Sequence, residues 1–511
     1  MKTFLNVANK LFLLIAIIMF LGNAWFFNNF MVENMDQLLF HLEIPQRDTG
    51  AIDFFYSFIL EVIVPTIVIS MILVLISVNY SIRKSYISIK AFNLVKEIQV
   101  FPLKTKWYLM FICALILITV PIYSFEKQLN IVEYVSKSNT SSLFIRENYV
   151  NPNDVTITFP EEKRNLIYII LESVETTFSS HGYGGSYEYN SIPELTKIAQ
   201  ENISFSGGND LGGSSRIAGT TWTMGSLVSQ TAGIPLKVPG GYGNQLSQFA
   251  YVLPGVITIG EILEHNGYNQ SFLMGSLGSY AGRDTYLSQK GGYKIMDLNW
   301  AKEAGKLPDD YRVWWGYEDS KLFEYAKEEI LLLEETGDPF NMSLLTVNTH
   351  HIDGYLEEEC PIDYEHQFTN VMRCSSYQVA NFIDWIKQQS FYENTTIVVV
   401  SDHLSMDPNY FSGIDIKKRY PYNAIINSPI EPIKEKNKPF AAFDWFPTTL
   451  AALGVEIEGD QLGMGINLFS DEETLVEKYG VEHLNDEFRK YSTFYNDYFH
   501  FAKEIRQYYP N

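Results

Sequence analysis

Three stretches near the amino end, Leu11 to Phe27, Phe54 to Val78 and Trp107 to Phe125, are long and almost free of charge. A helix needs ~20 apolar residues to cross a bilayer, and there each backbone N–H and C=O must find its partner within the segment. The pattern therefore predicts three transmembrane helices. Glu61 and Pro65 interrupt the second, which draws its lower end toward the interface. Lys2 and Lys10 precede the first run as in a secretory signal, but no A-x-A site follows and two further spans do.

Basic residues resist translocation and collect on the cytoplasmic side. The loop between the second and third stretches carries Arg83, Lys84, Lys90, Lys96, Lys104 and Lys106, whereas the first loop carries Glu33, Asp36, Glu43, Asp48 and Asp53 against Arg47. The amino end is then cytoplasmic, and everything after Phe125 lies outside a bacterial-type plasma membrane. A net charge of -22 over 511 residues argues against nucleic acid as a partner, since a phosphate backbone calls for a basic surface. Cys113 falls in the third stretch, while Cys360 and Cys374 are near each other in the exported part. An oxidising compartment would allow a disulfide between them, and two unpaired core thiols are the alternative.

Residues 126–164 are polar and without a sustained apolar period, which reads as a linker between an anchor, 1–125, and a catalytic domain, 165–511. Beyond it short apolar runs alternate with helical patterns: Leu166 to Leu171, Pro193 to Asn202, Ile257 to Asn266, Ser271 to Met274, Asp319 to Glu335, Ser343 to Val347, Ser375 to Gln388 and Ile397 to Val400. Such alternation predicts an α/β fold with a largely parallel sheet flanked by helices. Ligands of such sheets bind beyond the carboxyl ends of the strands.

Two of those strand ends carry polar groups that are costly to bury alone. Glu172 follows Asn165-Leu-Ile-Tyr-Ile-Ile-Leu, and Asp402-His403 follows Ile397-Val-Val-Val-Ser. Glu, Asp and His together suit zinc or manganese. Either motif by itself could be a helix cap or a satisfied core group. Between them, Gly219-Thr220-Thr221-Trp222-Thr223 runs into an expected helix. A hydroxyl there caps the helix, or sits among free N–H groups that would hold a phosphate. A third run ends in His350-His351; on an extended strand only one of them can face the site. Arg283 is a candidate anion clamp or a surface arginine.

Taken in order, Glu172, the Gly219-Thr220 turn, Thr349-His350-His351, Asp402-His403-Leu404 and Phe443-Asp-Trp-Phe-Pro-Thr448 resemble the sulfatase-like branch of the alkaline phosphatase superfamily. Within it the chain is similar to the bacterial phosphoglycerol transferase I group, with lipoteichoic acid synthases as relatives, over Asn165 to Gly465. That resemblance implies one divalent metal, manganese or zinc, held by Glu172, Thr220, Asp402 and His403, with Thr220 also the nucleophile. It implies that His350 and Arg283 contact the phosphoglycerol group, where His350 would be placed to protonate the leaving oxygen or activate the acceptor. Where the family has a substrate-binding tryptophan near this arginine, the chain has Ala281. The sulfatase C-x-P-S-R cysteine is missing, which sets formylglycine chemistry aside. The activity implied is transfer of phosphoglycerol from phosphatidylglycerol to an exported glycan through a phosphothreonine, releasing diacylglycerol. Phosphoethanolamine transfer is the first alternative, and an inactive membrane sensor or scaffold the second.

Overall fold

The computed structural model describes residues 2–29, 35, 38–39, 51–72, 86–91, 94–99, 106–237, 251–407, 410–411 and 413–500. The chain divides into two compact units, one drawn mainly from the first 132 residues and the other from Glu133 onward.

In the first unit three helices are long and apolar enough to cross a membrane among the described residues, Lys10–Asn29, Phe55–Ile72 and Phe111–Leu129. The first and third run parallel, with Phe12 stacked on Phe111 and Phe26 packed on Phe125. Ala16 and Ala114 are fully buried between them, since small side chains let two helices approach closely where no hydrophobic force drives them together. Pro65 has no N–H to give to the residue one turn earlier, and the turn before it, Ile59–Ile63, widens to a π-helix in which the Val64 N–H reaches Ile59 O. A hairpin, Tyr86–Ala91 paired with Leu94–Gln99, occupies the basic loop and was not foreseen. The far end of the second expected span, 73–78, lies outside the described residues. So do Glu33, Asp36, Glu43, Arg47, Asp48, Arg83, Lys84 and Lys104.

The second unit is built on a six-stranded sheet. Its strands are β1 (Asn165–Leu171), β2 (Asn269–Met274), β3 (Lys294–Met296), β4 (Phe340–Leu345), β5 (Thr395–Ser401) and β6 (Asn423–Ile426), in the spatial order β3-β2-β4-β1-β5-β6. All pairings are parallel except β5 with β6. Every residue of β1, β4 and β5 is buried, as expected where helices cover both faces and the strands have no solvent side. The helices that matter below are α1 (Pro193–Glu201), α2 (Thr223–Ala232), α3 (Asp319–Glu335), α4 (Gln367–Lys387) and α5 (Trp445–Ala452). The fold is therefore the α/β sheet with flanking helices that the alternation predicted. Two short strands escaped the reading: β3 is only three residues long, and β6 runs antiparallel on the edge.

The segment expected to be a linker is in part folded into this unit. Phe144 and Ile145 join the core, and Ile157–Thr158 pairs with Glu456–Ile457. Its polarity reflects a surface strap with a few anchoring side chains, and a periodicity test misses such a strap because no regular face repeats.

Candidate active site

Register places the acidic groups. Leu171 on β1 pairs with Ser401 on β5, so the next residue of each strand, Glu172 and Asp402, emerges on the same edge of the sheet. The Asp402 N–H still bonds Leu171 O, which continues the ladder one step. Glu172, Asp402 and His403 are each no more than 3% exposed. One ligand atom from each lies within 4.8 Å of the others. His403 Nε2 is 3.4 Å from Asp402 Oδ2 and 3.7 Å from Glu172 Oε1.

Neighbouring groups aim these side chains. Ser173, at φ 56, turns the chain so that its N–H donates to Asp402 Oδ1 at 2.9 Å and its hydroxyl to Glu172 Oε1 at 2.7 Å. His403 Nδ1 lies 2.8 Å from Leu404 O, the arrangement of a donated N–H, which leaves the lone pair on Nε2. Among the described residues, Asp402 Oδ2 is buried without a hydrogen-bond donor. A buried carboxylate oxygen without a donor is expensive unless a cation meets it. Two carboxylates, an imidazole with its lone pair inward and one orphaned oxygen are a donor set that fits a divalent metal. Burial pushes the Glu172 carboxyl up, but the nearby His350 and His403 imidazoles and hydrogen bonds with Ser173 and Asp402 outweigh it and leave it low. Asp402, buried beside that charge, is pushed up to about 7.

Among the described residues no hydrogen bond joins the expected nucleophile, Thr220, to this cluster. Gly219, at φ 87, makes a tight turn in which a β-carbon would lie 2.8 Å from Leu236 O. The turn closes with the Thr220 N–H and hydroxyl both on Ile217 O. Trp222 is then extended and buried, and α2 begins only at Thr223. Thr223 Oγ1 lies 3.3 Å from His403 Nε2 and 3.4 Å from Glu172 Oε2. The hydroxyl at the cluster is thus Thr223, at the helix position where free N–H groups and the positive dipole end gather. Thr221 is buried in the same turn.

His350 and His351 lie on a turn beyond β4, which ends at Leu345, and their rings stack with centroids 4.4 Å apart. The alternation argument that only one could face the site does not apply, because the segment is not extended there. His350 Nδ1 is 2.8 Å from His351 O. Burial, with the charges of His403 and Arg283, lowers its pKa against the pull of Glu172, so the ring is neutral near pH 7. Its other face meets Trp315, with centroids 4.5 Å apart, and Trp315 also meets Tyr280 edge-on. Trp315 was missed by sequence reasoning. It arrives on a loop whose Gly316 leaves no room for a side chain, since a β-carbon would fall 1.9 Å from Gly275 O. The Trp314-Trp315-Gly316 string was the available signal.

Arg283 is buried, not superficial. It donates from Nε to Tyr280 O and from Nη2 to Ser276 Oγ and Leu277 O, bonds that do not use its Nη1 donors. Behind the cluster, Arg419 and Glu175 form a fully buried pair. Arg419 Nε is 2.9 Å from Glu175 Oε2, and Glu175 Oε1 accepts the Ser405 N–H at 2.8 Å. The pair ties the loop after β1 to the loop after His403. Cys360 and Cys374 are joined in a disulfide.

Residues 164–455, more than half of the chain, match the sulfatase family model. A 258-residue stretch is 33% identical to phosphoglycerol transferase I of Salmonella choleraesuis, covering 49% of this chain and 32% of that protein; the chain thus matches about a third of its curated relatives' length. Among solved structures, an alkaline phosphatase superfamily protein from Vibrio parahaemolyticus aligns with TM-score 0.49 and 20% identity over 65% of this chain and 78% of its own. The lipoteichoic acid synthase LtaP of Listeria monocytogenes aligns with TM-score 0.47 and 16% identity over 64% and 80%.

Proposed function

The chain belongs to the sulfatase family, and from that premise we propose that it is a phosphotransferase moving phosphoglycerol from phosphatidylglycerol to an exported glycan. The observation that carries the reading is the Thr223 hydroxyl at the start of α2, between Glu172 and His403. The identity to phosphoglycerol transferase I supports the group transferred. Glu172, Asp402 and His403, with the Thr223 oxygen, would hold one divalent metal, manganese or zinc. Such an ion supplies charge stabilisation to a phosphoryl oxygen and lowers the pKa of a nearby hydroxyl.

Thr223 Oγ forms a bond to phosphorus while the bond from phosphorus to the diacylglycerol oxygen breaks. The threonine's proton is made good on that oxygen, so diacylglycerol leaves neutral. A glycan hydroxyl then attacks the phosphothreonine, and its proton returns to Thr223. Neutral His350, its Nδ1 turned to a carbonyl, offers Nε2 to take the acceptor's proton. Backbone N–H groups at the start of α2 and the Arg283 guanidinium face the phosphate's negative charge. Trp315 and Tyr280 wall the headgroup. Three spans would hold the domain on the outer face of a bacterial plasma membrane with the amino end in the cytoplasm, which places the site within reach of a lipid donor. A reporter enzyme fused after Phe125 that works only when exported would support that orientation.

The experiment is incubation of the purified full chain with headgroup-labelled phosphatidylglycerol or phosphatidylethanolamine and an acceptor glycan, with mass spectrometry of the Thr223 peptide. A phosphoglycerol adduct and diacylglycerol from the first lipid are expected. An adduct from the second lipid alone would make the chain a phosphoethanolamine transferase, and none from either would leave a sensor or scaffold.

A further inference from the structure

A cavity of about 610 Å³ lies within the membrane unit, its lining including Met19, Gly22 and Asn23 of the first span, Phe58 of the second, and Pro121, Phe125 and Glu126 of the third. Its size falls within the ~300–1,000 Å³ usual for small-molecule sites. Two sequence features open it. A β-carbon on Gly22 would meet nothing within 4 Å, so the helix backbone itself forms part of the wall. Pro121 sits inside the third helix, where it removes one hydrogen bond and pushes away the preceding turn.

The depth is set by what surrounds it. Trp25 donates from Nε1 to Ser57 Oγ and packs against Phe58, and Phe26 and Phe27 pack on Phe125. Amphipathic and aromatic rings gathered at one end of a bundle mark the headgroup level of a bilayer. The cavity lies at the level of that belt, whose Phe58 and Phe125 line it, and reaches Glu126 and Val132 beyond it. Because the first and third spans run parallel, it lies at the end that the loop charges assign to the outer face. In a wall that is apolar apart from Asn23 and Glu126, Asn23 Oδ1 is buried without a hydrogen-bond partner among the described residues. A polar side chain at that depth is costly without a polar ligand, and polar groups within spans mark binding paths.

We propose that this cavity binds one acyl chain of an outer-leaflet diacyl phospholipid, with the Asn23 amide at the level of the glycerol esters. Occupancy does not depend on the transferase reading, but its use does: the pocket would hold a donor lipid for transfer. The apolar tail accounts for the Met19, Phe58 and Phe125 walls, and the ester and glycerol region for Asn23. A water-filled pocket would leave the apolar walls wet, and an empty one would leave Asn23 unpaired.

The test uses the full chain in lipid nanodiscs containing a phosphatidylglycerol with a diazirine near the end of one acyl chain, with crosslinks mapped by peptide mass spectrometry. Adducts should concentrate on the peptides carrying Met19, Phe58 and Phe125. Gly22→Leu, which fills the void, should reduce them at least fivefold, while Ala24→Leu on the exposed side of the same helix should not. Equal labelling in Gly22→Leu, or labelling spread evenly over exposed Ile15, Ile67 and Ile116, would overturn the proposal. Crosslinks to a second copy of the chain at these residues would overturn it too. In the transferase assay Gly22→Leu should raise KM at least fivefold for a long-chain donor and leave a dihexanoyl donor unchanged. If the wild-type chain transfers nothing while the labelling pattern holds, the functional reading falls and the lipid site stands.

Discussion

The hydroxyl of Thr223 lies 3.3 Å from Nε2 of His403, a residue 180 positions further along the chain. The contact joins the start of α2 to the end of β5, and it selects one hydroxyl among three neighbouring threonines. Thr223→Ala should lower transfer by more than about a thousandfold, the scale expected when a covalent nucleophile is removed. Thr220→Ala, which loses a bond to Ile217 O outside the cluster, should keep at least a tenth of wild-type turnover. Steady-state assays with labelled donor lipid decide between them; the reverse ranking would return the role to Thr220.

Among the described residues, Asp402 has one oxygen with no donor, and burial and Glu172 push its carboxyl up. Asp402→Asn should weaken metal binding by about 10–100-fold or more, measured by calorimetry on the stripped protein. The same substitution should raise the melting temperature of the metal-free protein, because it removes one of two like charges confined together. Unchanged metal affinity would show that these residues do not form the site.

Arg419 and Glu175 are a buried pair linking the two loops that carry Glu172 and His403. Removing one partner from such a pair costs roughly 3–5 kcal/mol, since the other charge stays buried and uncompensated. Arg419→Met should therefore lower stability by about that amount in chemical denaturation. Adding Glu175→Gln should restore part of it. A loss under about 1 kcal/mol for the single variant would mean that water relaxes into the pocket.

Asp319, at the start of α3, accepts the Val347 and Asn348 N–H groups and so holds the turn that leads to His350. Burial, together with the charges of Glu357 and Glu172, pushes its carboxyl up to about 8 against those two bonds. In the unfolded chain it ionises near pH ~3.9. Between those values the folded protein keeps a proton that the unfolded chain has lost, so its contribution to stability is full below pH ~4 and falls as pH rises toward 8. Melting temperature should drop across that window in the wild type and drop less in Asp319→Asn. Identical slopes would assign the pH dependence elsewhere.

The strand ends were legible in the sequence because parallel strands covered on both faces read as unbroken apolar runs. A polar residue at the end of such a run can hardly be anything but a site residue or a cap. Hence Glu172, Asp402 and His403 could be named, and the spans with them, since a bilayer demands length and composition that need no tertiary context. Which threonine meets them was not legible. It depends on Gly219 fitting under Leu236 and on Trp222 filling the core, in a turn after which the helix begins at Thr223. The pairing of His350 with Trp315 likewise arises where a loop crosses Gly275 closely enough that position 316 must be glycine. Local pattern determines what each segment becomes and which face it buries; the start of a helix and the meeting of two loops are decided by contacts between residues far apart in the chain, which no window of sequence contains.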